Sequence, residues 1–170
     1  MNINELRSLQ ARVKDQYRQH PETALLTLRA AGRIGEGITC NVETGKAPVE
    51  AGLHPATGGD GLSACSGDML LQALVGCAGV TLRAVATALG IQLRDATIRA
   101  EGDLDFRGTL GVSKQVPVGF KQIRLHFDLD TDAREENLAT LLRLTERYCV
   151  VYQTLNQPPK IDVAHRVISK

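Results

Sequence analysis

Tryptophan is absent from this sequence, and phenylalanine and tyrosine number three each, so the chain offers little surface for stacking nucleic-acid bases. An excess of charge of either sign is missing as well. Lysine and arginine total 20 against 19 acidic residues, which leaves no net field to draw the protein to nucleic acid or an anionic membrane. The stretch from Met1 to His20 carries Arg7, Arg12, Lys14 and Arg18 and has no apolar core of the kind a secretory signal requires. The longest apolar run, Met69 to Leu82, is interrupted by Gln72 and Thr81 and falls short of the roughly 20 residues of a membrane-spanning helix. Together these absences predict a soluble, cytoplasmic protein whose partner is a small molecule or another protein, not nucleic acid and not a membrane.

The four cysteines and His20, His54, His126 and His165 form no C-x-x-C, H-E-x-x-H or other close ligand pair, so no metal is expected. Residues 45–67 contain neither G-x-x-x-x-G-K nor a strand-anchored G-x-G-x-x-G, which argues against a phosphate cradle and against a bound cofactor. Four cysteines in 170 residues are also too few for a disulfide scaffold. In a reducing compartment any bridge among them would be transient, and cysteine chemistry becomes the question to ask.

A chain of this length suits one domain, because a domain of about 150 residues buries roughly 68–70% of its unfolded surface. Ile3, Leu6, Leu9, Val13 and Tyr17 recur at helical spacing up to His20-Pro21, which predicts an amphipathic helix over residues 1–20 as an extension of a domain spanning 21–170. Ala24–Ala31 and Gly37–Thr44 read as a β-hairpin turning at residues 32–36. Residues 45–64, rich in glycine, read as a long loop over a site. Ser66 to Leu89 is apolar on nearly every side and stops at Gly90, the pattern of a helix buried all round.

Strict alternation then predicts strands at Arg94–Phe106 and Ile123–Asp130. Asp132 with Glu135 reads as a capping box opening a second helix that runs to Leu155, with Leu138, Leu142, Thr145, Cys149 and Tyr152 on one face. Asn156-Gln157-Pro158-Pro159 ends that helix, and Ile161–Ile168 reads as a closing strand. The order β-β-α-β-β-α-β points to an α+β fold with antiparallel sheets wrapped around two central helices.

Cys77 and Cys149 each fall on one of the two long helices. A cysteine in that position commonly serves as a small buried hydrophobe. Both point inward, however, and could meet as an attacking and a resolving thiol. Cys40, in a predicted strand, and Cys65, at the end of the long loop, have no activating base nearby in sequence, and Cys65 is a rival partner for Cys77.

The run from Gly67 to Leu82, an acidic residue at Asp68, an apolar stretch and then Gly76-Cys77, resembles the central helix of the OsmC-like (OsmC/Ohr) family. Leu89-Gly90-Ile91 and the strand from Ala96 to Gly102 extend the resemblance. Glu146 to Leu155 looks like that family's second-cysteine helix, with Val150 where Cys-Pro-Val is frequent. The resemblance covers residues 24–168. It implies that Cys77 is a peroxide-attacking cysteine, that Cys149 resolves its sulfenic acid to a disulfide, and that Asp68 stands for the usual glutamate. An arginine is implied beside the thiolate, and Arg33 is the candidate because no arginine occurs between it and Arg83. The implied activity is reduction of organic hydroperoxides by a thiol peroxidase, with an external thiol as reductant and no cofactor.

Asp68 and Cys77 stand nine residues apart, which on one straight helix is about 180° round and roughly 13.5 Å along. One helix cannot join them, so the resemblance leads to an intertwined homodimer in which each copy lends its Asp68 to the other's site. Two other readings stay open: a non-catalytic or slow member of the fold that binds a small apolar ligand or senses redox state, and an interaction module docking through its N-terminal helix.

Overall fold

The hairpin expected near the N-terminus is present, with its turn displaced. A computed structural model describes residues 2–5, 8, 11, 19, 31–34, 39–43 and 48–168, the two strands 31–34 and 39–43 through their backbone alone. Strand β1 (Ala31–Ile34) pairs antiparallel with β2 (Thr39–Glu43) in the register Ile34↔Cys40 and Ala31↔Glu43. Gly32, Arg33 and Ile34, read as turn residues, therefore lie in the strand. The predicted strand residues 24–30 lie outside the described part of the chain. Of the N-terminal helix only its start and scattered residues are described. Asn2 caps it by accepting from the amides of Asn4 and Glu5 at 2.9 Å each, while Glu5 Oε2 accepts from the Asn2 amide at 2.8 Å.

The glycine-rich segment predicted as loop is partly structured. Strand β3 (Pro48–Gly52) adds antiparallel to β2, and β4 (Ala64–Cys65) adds parallel to β3, giving a four-stranded sheet in the order β1-β2-β3-β4. Proline is tolerated as the first residue of such a strand, and the five-residue alternation is too short to stand out among glycines. A 3-10 turn at Pro55–Thr57 is capped by His54, whose Nδ1 accepts from the Ala56 amide at 3.0 Å and whose ring stacks on Phe106.

Helix α1 (Ser66–Leu89) has the extent that the apolar pattern predicts. Gly90 ends it at φ 71°, a left-handed conformation that glycine adopts without a Cβ penalty, and the Ile91 amide returns to the Ala86 carbonyl at 2.9 Å. Burial departs from expectation. On α1 only Leu74, Ala78, Leu82 and Ala86 are fully buried, one stripe at every fourth residue, while Val80 is 74% exposed. The full α1 is long and apolar enough to cross a membrane, although the uninterrupted apolar run is not. Its buried stripe is met by protein: Asp95–Asp103, Glu135–Tyr148 and Val150–Asn156 of the same chain pack on it.

Strands β5 (Asp95–Asp103) and β6 (Gln122–Asp130) pair antiparallel over nine positions and alternate inward and outward as predicted, with Ile98, Ala100, Leu125 and Phe127 turned to the core. Leu104 falls after β5, and Phe106 opens a short helix, α2 (Phe106–Thr109). Arg94 joins the start of β5 to the end of β6 by donating to Asp130 at 2.8 Å and by pairing with Asp132. Asp132 is thereby drawn away from the cap position, and the capping box does not form. Helix α3 (Glu135–Tyr148) starts instead after Arg134, with no side-chain cap.

The second long helix is two helices. Cys149, at φ −74° and ψ 107°, closes α3 and opens α4 (Val150–Asn156). Residues 161–168, read as a closing strand, are described without strand pairing, and Ile161, Val163, Val167 and Ile168 stand 81–90% exposed. The alternation needs a neighbouring strand to become β-structure, and none of the described strands of this chain lies beside it. The core falls in two clusters on α1. Leu82, Ala86, Leu93 and Leu141 form one, and Leu74, Ala78 and Cys149 form the other. Full burial of a leucine such as Leu141 stabilises the fold by about 1.5–3 kcal/mol.

Candidate active site

Cys77 follows Gly76 on α1 and precedes the buried Ala78, so it lies about 100° round the helix from the centre of the buried stripe. That border position leaves its thiol partly exposed. Cys149 approaches from the α3–α4 joint and is 1% exposed. Both cysteines belong to the same packed cluster, with Val151, Tyr152 and Leu155 from α4 and Ile98, Ala100, Ile123, Leu125 and Phe127 from the sheet.

The environments of the two thiols push them in opposite directions. Burial raises Cys77, but the nearby Val151 amide, Cys149 thiol, Val150 amide and Thr81 hydroxyl together hold it below an ordinary cysteine. Burial pushes Cys149 up. The Tyr152 amide opposes that rise, and the neighbouring Cys77 sulfur adds to it, because the Cys149 proton is engaged there. One sulfur is thus readied as the thiolate while its neighbour keeps its proton, the division of labour a nucleophile and a resolving thiol need.

Among the described residues, none of the groups named as acting on Cys77 is a cation. Mid-helix placement gives the thiol no help from α1 itself, as the sequence implies, and the donors come from the first turn of α4. Thr81 contributes from one turn along α1. Val150, Val151 and Thr81 are functional groups that sequence reasoning misses, and the departure at Val150 was the available signal, since proline there would have no N–H to give. The Arg33 side chain lies outside the described residues, and only its place in β1, opposite Asn41, is described.

Asp68 is exposed in the first turn of α1 and shares that helix with Cys77, so within one chain the two remain nine residues apart. It lines a different cavity of about 330 Å³, with His54, Cys65, Leu71, Phe106 and Phe120 among its neighbours. Cys65 caps the start of α1 twelve residues before Cys77. At 1.5 Å per residue that is about 18 Å, far beyond the roughly 7 Å between Cα atoms that a disulfide allows. Cys65 is not placed to partner Cys77 within a chain. Cys40 lies in β2, and its side chain is outside the described residues.

Beside the thiol cluster opens a cavity of about 490 Å³ with Leu74, Ile123, Leu125, Phe127, Tyr152 and Leu155 as its apolar wall and Lys121, Gln122, Glu146 and Asn156 as polar members. Burial raises the Tyr152 phenol, and the adjacent Glu146 adds to it, so the phenol stays protonated as a donor facing this space. Among the described residues no cluster of histidine, cysteine or acidic side chains could hold a metal ion.

The architecture is that of an α+β protein with a cysteine pair enclosed between its longest helix and the joint of two others. A family model described as OsmC-like protein matches residues 58–164, and the chain belongs to that family. The match begins in the loop before α1 and runs past α4, a shorter span than the 24–168 suggested by sequence motifs.

Solved structures agree on the fold. An OsmC-like protein from Mycoplasma pneumoniae superposes with a TM-score of 0.66 at 14% identity, covering 78% of this chain and 89% of that one. An organic hydroperoxide resistance protein OsmC from Legionella pneumophila gives 0.61 at 19% identity, covering 78% and 91%. An organic hydroperoxide resistance protein from Elizabethkingia anophelis gives 0.62 at 16% identity, covering 79% and 91%. No curated protein matches the sequence.

Proposed function

We propose that this protein is a thiol peroxidase that reduces organic hydroperoxides. The observation that carries the proposal is the contact of the acidified Cys77 sulfur with the protonated, buried Cys149 thiol. The Cys77 thiolate attacks the peroxide oxygen distal to the alkyl group. The O–O bond breaks, the alkoxide leaves and takes a proton to become the alcohol, and Cys77 becomes a sulfenic acid. Cys149 then attacks the sulfenic sulfur, water leaves, and a disulfide joins the two helices. An external thiol reductant supplies the two electrons that restore both thiols. No cofactor enters the cycle.

The apolar wall of the 490 Å³ cavity suits the alkyl part of an organic hydroperoxide better than hydrogen peroxide, which has no apolar surface to bury. The same cavity favours a second reading, in which the fold binds a small apolar ligand or senses redox state and turns over slowly. One experiment separates the two. Reduced protein mixed with one equivalent of cumene hydroperoxide is expected to form a stoichiometric Cys77–Cys149 bridge within seconds, read by disulfide mapping in a mass spectrometer. Thiols unchanged after many minutes would leave the binding reading in its place.

Asp68 and Arg33 complete the proposed site as the carboxylate and the cation, with Asp68 given by the second copy of a cytoplasmic, intertwined homodimer. Two features support this assembly: the separation of Asp68 and Cys77 on one helix, and the exposure of apolar residues such as Leu70, Val80 and Leu89 along α1 among the described residues. Residues 21–170 are proposed as the working domain, with 1–20 as its extension. Sedimentation at micromolar concentration is expected to show a dimer. A monomer with full peroxidase activity would remove the shared site.

A further inference from the structure

The joint at Cys149 is one residue deep. On its near side the Cys149 amide donates to the Thr145 carbonyl at 2.9 Å, and on its far side the Gln153 amide donates to the Cys149 carbonyl at 2.9 Å, both in helical spacing. Between them the three bonds an unbroken helix would carry, from the Val150, Val151 and Tyr152 amides to the Glu146, Arg147 and Tyr148 carbonyls, are not made, and one of these carbonyls finds another donor. In an unbroken helix the Glu146 carbonyl accepts from the amide four residues on, that of Val150. Here it accepts from Nε2 of Gln153 at 2.8 Å. One of the three carbonyls that the joint orphans is thus satisfied by a side chain, and the Val150 amide is released from the helix.

We propose that Gln153 is a positioning residue for Cys77: its side-chain amide occupies the Glu146 carbonyl in place of the Val150 N–H, holds the helix open at Cys149, and so turns the Val150 amide toward the Cys77 sulfur. The inference rests on the reading of Cys77 as the attacking thiol and adds a residue that touches neither sulfur. The acidity of Cys77 agrees with it, since the Val151 and Val150 amides are two of the groups that lower it. The backbone of Cys149 agrees too. Its ψ of 107° is the extended geometry that directs the next amide out of the helix axis. Gln153 is only partly buried, so the latch is held by one hydrogen bond and is sensitive to its loss.

The test is the pH profile of Cys77 alkylation by iodoacetamide, read on the Cys77 peptide by mass spectrometry, in the full-length chain. Gln153→Met keeps the length and loses the donor. Its profile is expected to move to higher pH, with alkylation at pH 7 about three- to tenfold slower, the size of effect that a single hydrogen bond carries. Val150→Pro removes the amide but restricts Cys149 to the extended conformation already present and places proline at the first helical position, where it is accommodated. It is expected to give a similar or smaller shift.

The double variant decides the matter. With proline holding the joint open and no Val150 N–H to release, Gln153→Met is expected to add nothing to Val150→Pro. An unchanged profile in Gln153→Met, or additive shifts in the double variant, would overturn the proposal, and far-UV circular dichroism verifies that each variant is folded. Oxidation by cumene hydroperoxide is followed in parallel. An acidic Cys77 that responds to Gln153 but not to peroxide would sink the peroxidase reading and leave the latch standing.

Discussion

Serine in place of Cys77 is expected to lower the rate of oxidation by organic hydroperoxide by about a thousandfold, down to background. Oxygen at this position keeps the size of the side chain and loses the chemistry. A serine hydroxyl is not ionised near neutral pH, so the amides of Val150 and Val151, which favour a thiolate, find no anion to stabilise. The fold tolerates the change because the thiol is partly exposed at the border of the α1 stripe.

The pH dependence of the wild-type protein follows from the same contacts. An acid whose folded-state pKa is depressed holds its anion to lower pH than an ordinary thiol. The oxidation rate therefore rises with pH and levels off before ordinary cysteines have ionised. Stopped-flow consumption of cumene hydroperoxide, with a free-thiol count at the end, measures both effects. A Cys77→Ser protein oxidised as fast as wild type would remove Cys77 from the role assigned to it.

Cys149→Ser separates the first half of the cycle from the second. The variant is expected to consume one equivalent of hydroperoxide per chain and then stop. Multiple turnover with a dithiol reductant falls by about a hundredfold or more, since an interaction made by a resolving group is lost outright. Cys77 sulfenic acid accumulates, and dimedone labels it with a mass shift on the Cys77 peptide. The initial oxidation is expected to change little, because the serine hydroxyl keeps a donor beside the Cys77 sulfur. A disulfide forming at Cys77 in the absence of Cys149 would point to another partner, and the position of Cys65 at the start of α1 argues that it would come from a different chain.

The elements that depend on local pattern were legible in the sequence. The α1 boundaries follow from an apolar run with Gly90 at its end, and β6 follows from strict alternation of Ile123, Leu125, Phe127 and Leu129 with polar neighbours. The joint at Cys149 was not, because Leu138, Leu142, Thr145, Cys149 and Tyr152 remain in helical phase across it. A single residue of extended backbone leaves the periodicity intact. Asp132 shows a different failure. Its spacing to Glu135 fits a capping box, but Arg94, distant in sequence, competes for the carboxylate.

The site was legible to the extent that two inward cysteines on two helices stand out. The groups that tune them did not, because two of the four are backbone amides, which every residue except proline possesses and no motif records. Arg33 was chosen from the side chains alone, and its own side chain lies outside the described residues. Burial of α1 was overread for a related reason. An apolar surface in a sequence says that something covers it, without saying whether the cover belongs to the same chain.

The interruption at Cys149 also bears on how far the molecule must move to change oxidation state. A disulfide between two intact helices would have to pull both backbones toward each other or bend one, straining hydrogen bonds along several turns. Here Cys149, the proposed resolving residue, is a joint of extended backbone, φ −74° and ψ 107°, between two helices. Small rotations about that one residue can carry Cys149 toward Cys77 while α1, the β5–β6 pair and the Leu82–Leu141 cluster stay where they are. In the proposed cycle the reduced and oxidised forms then share one core, and the reorganisation between them stays local.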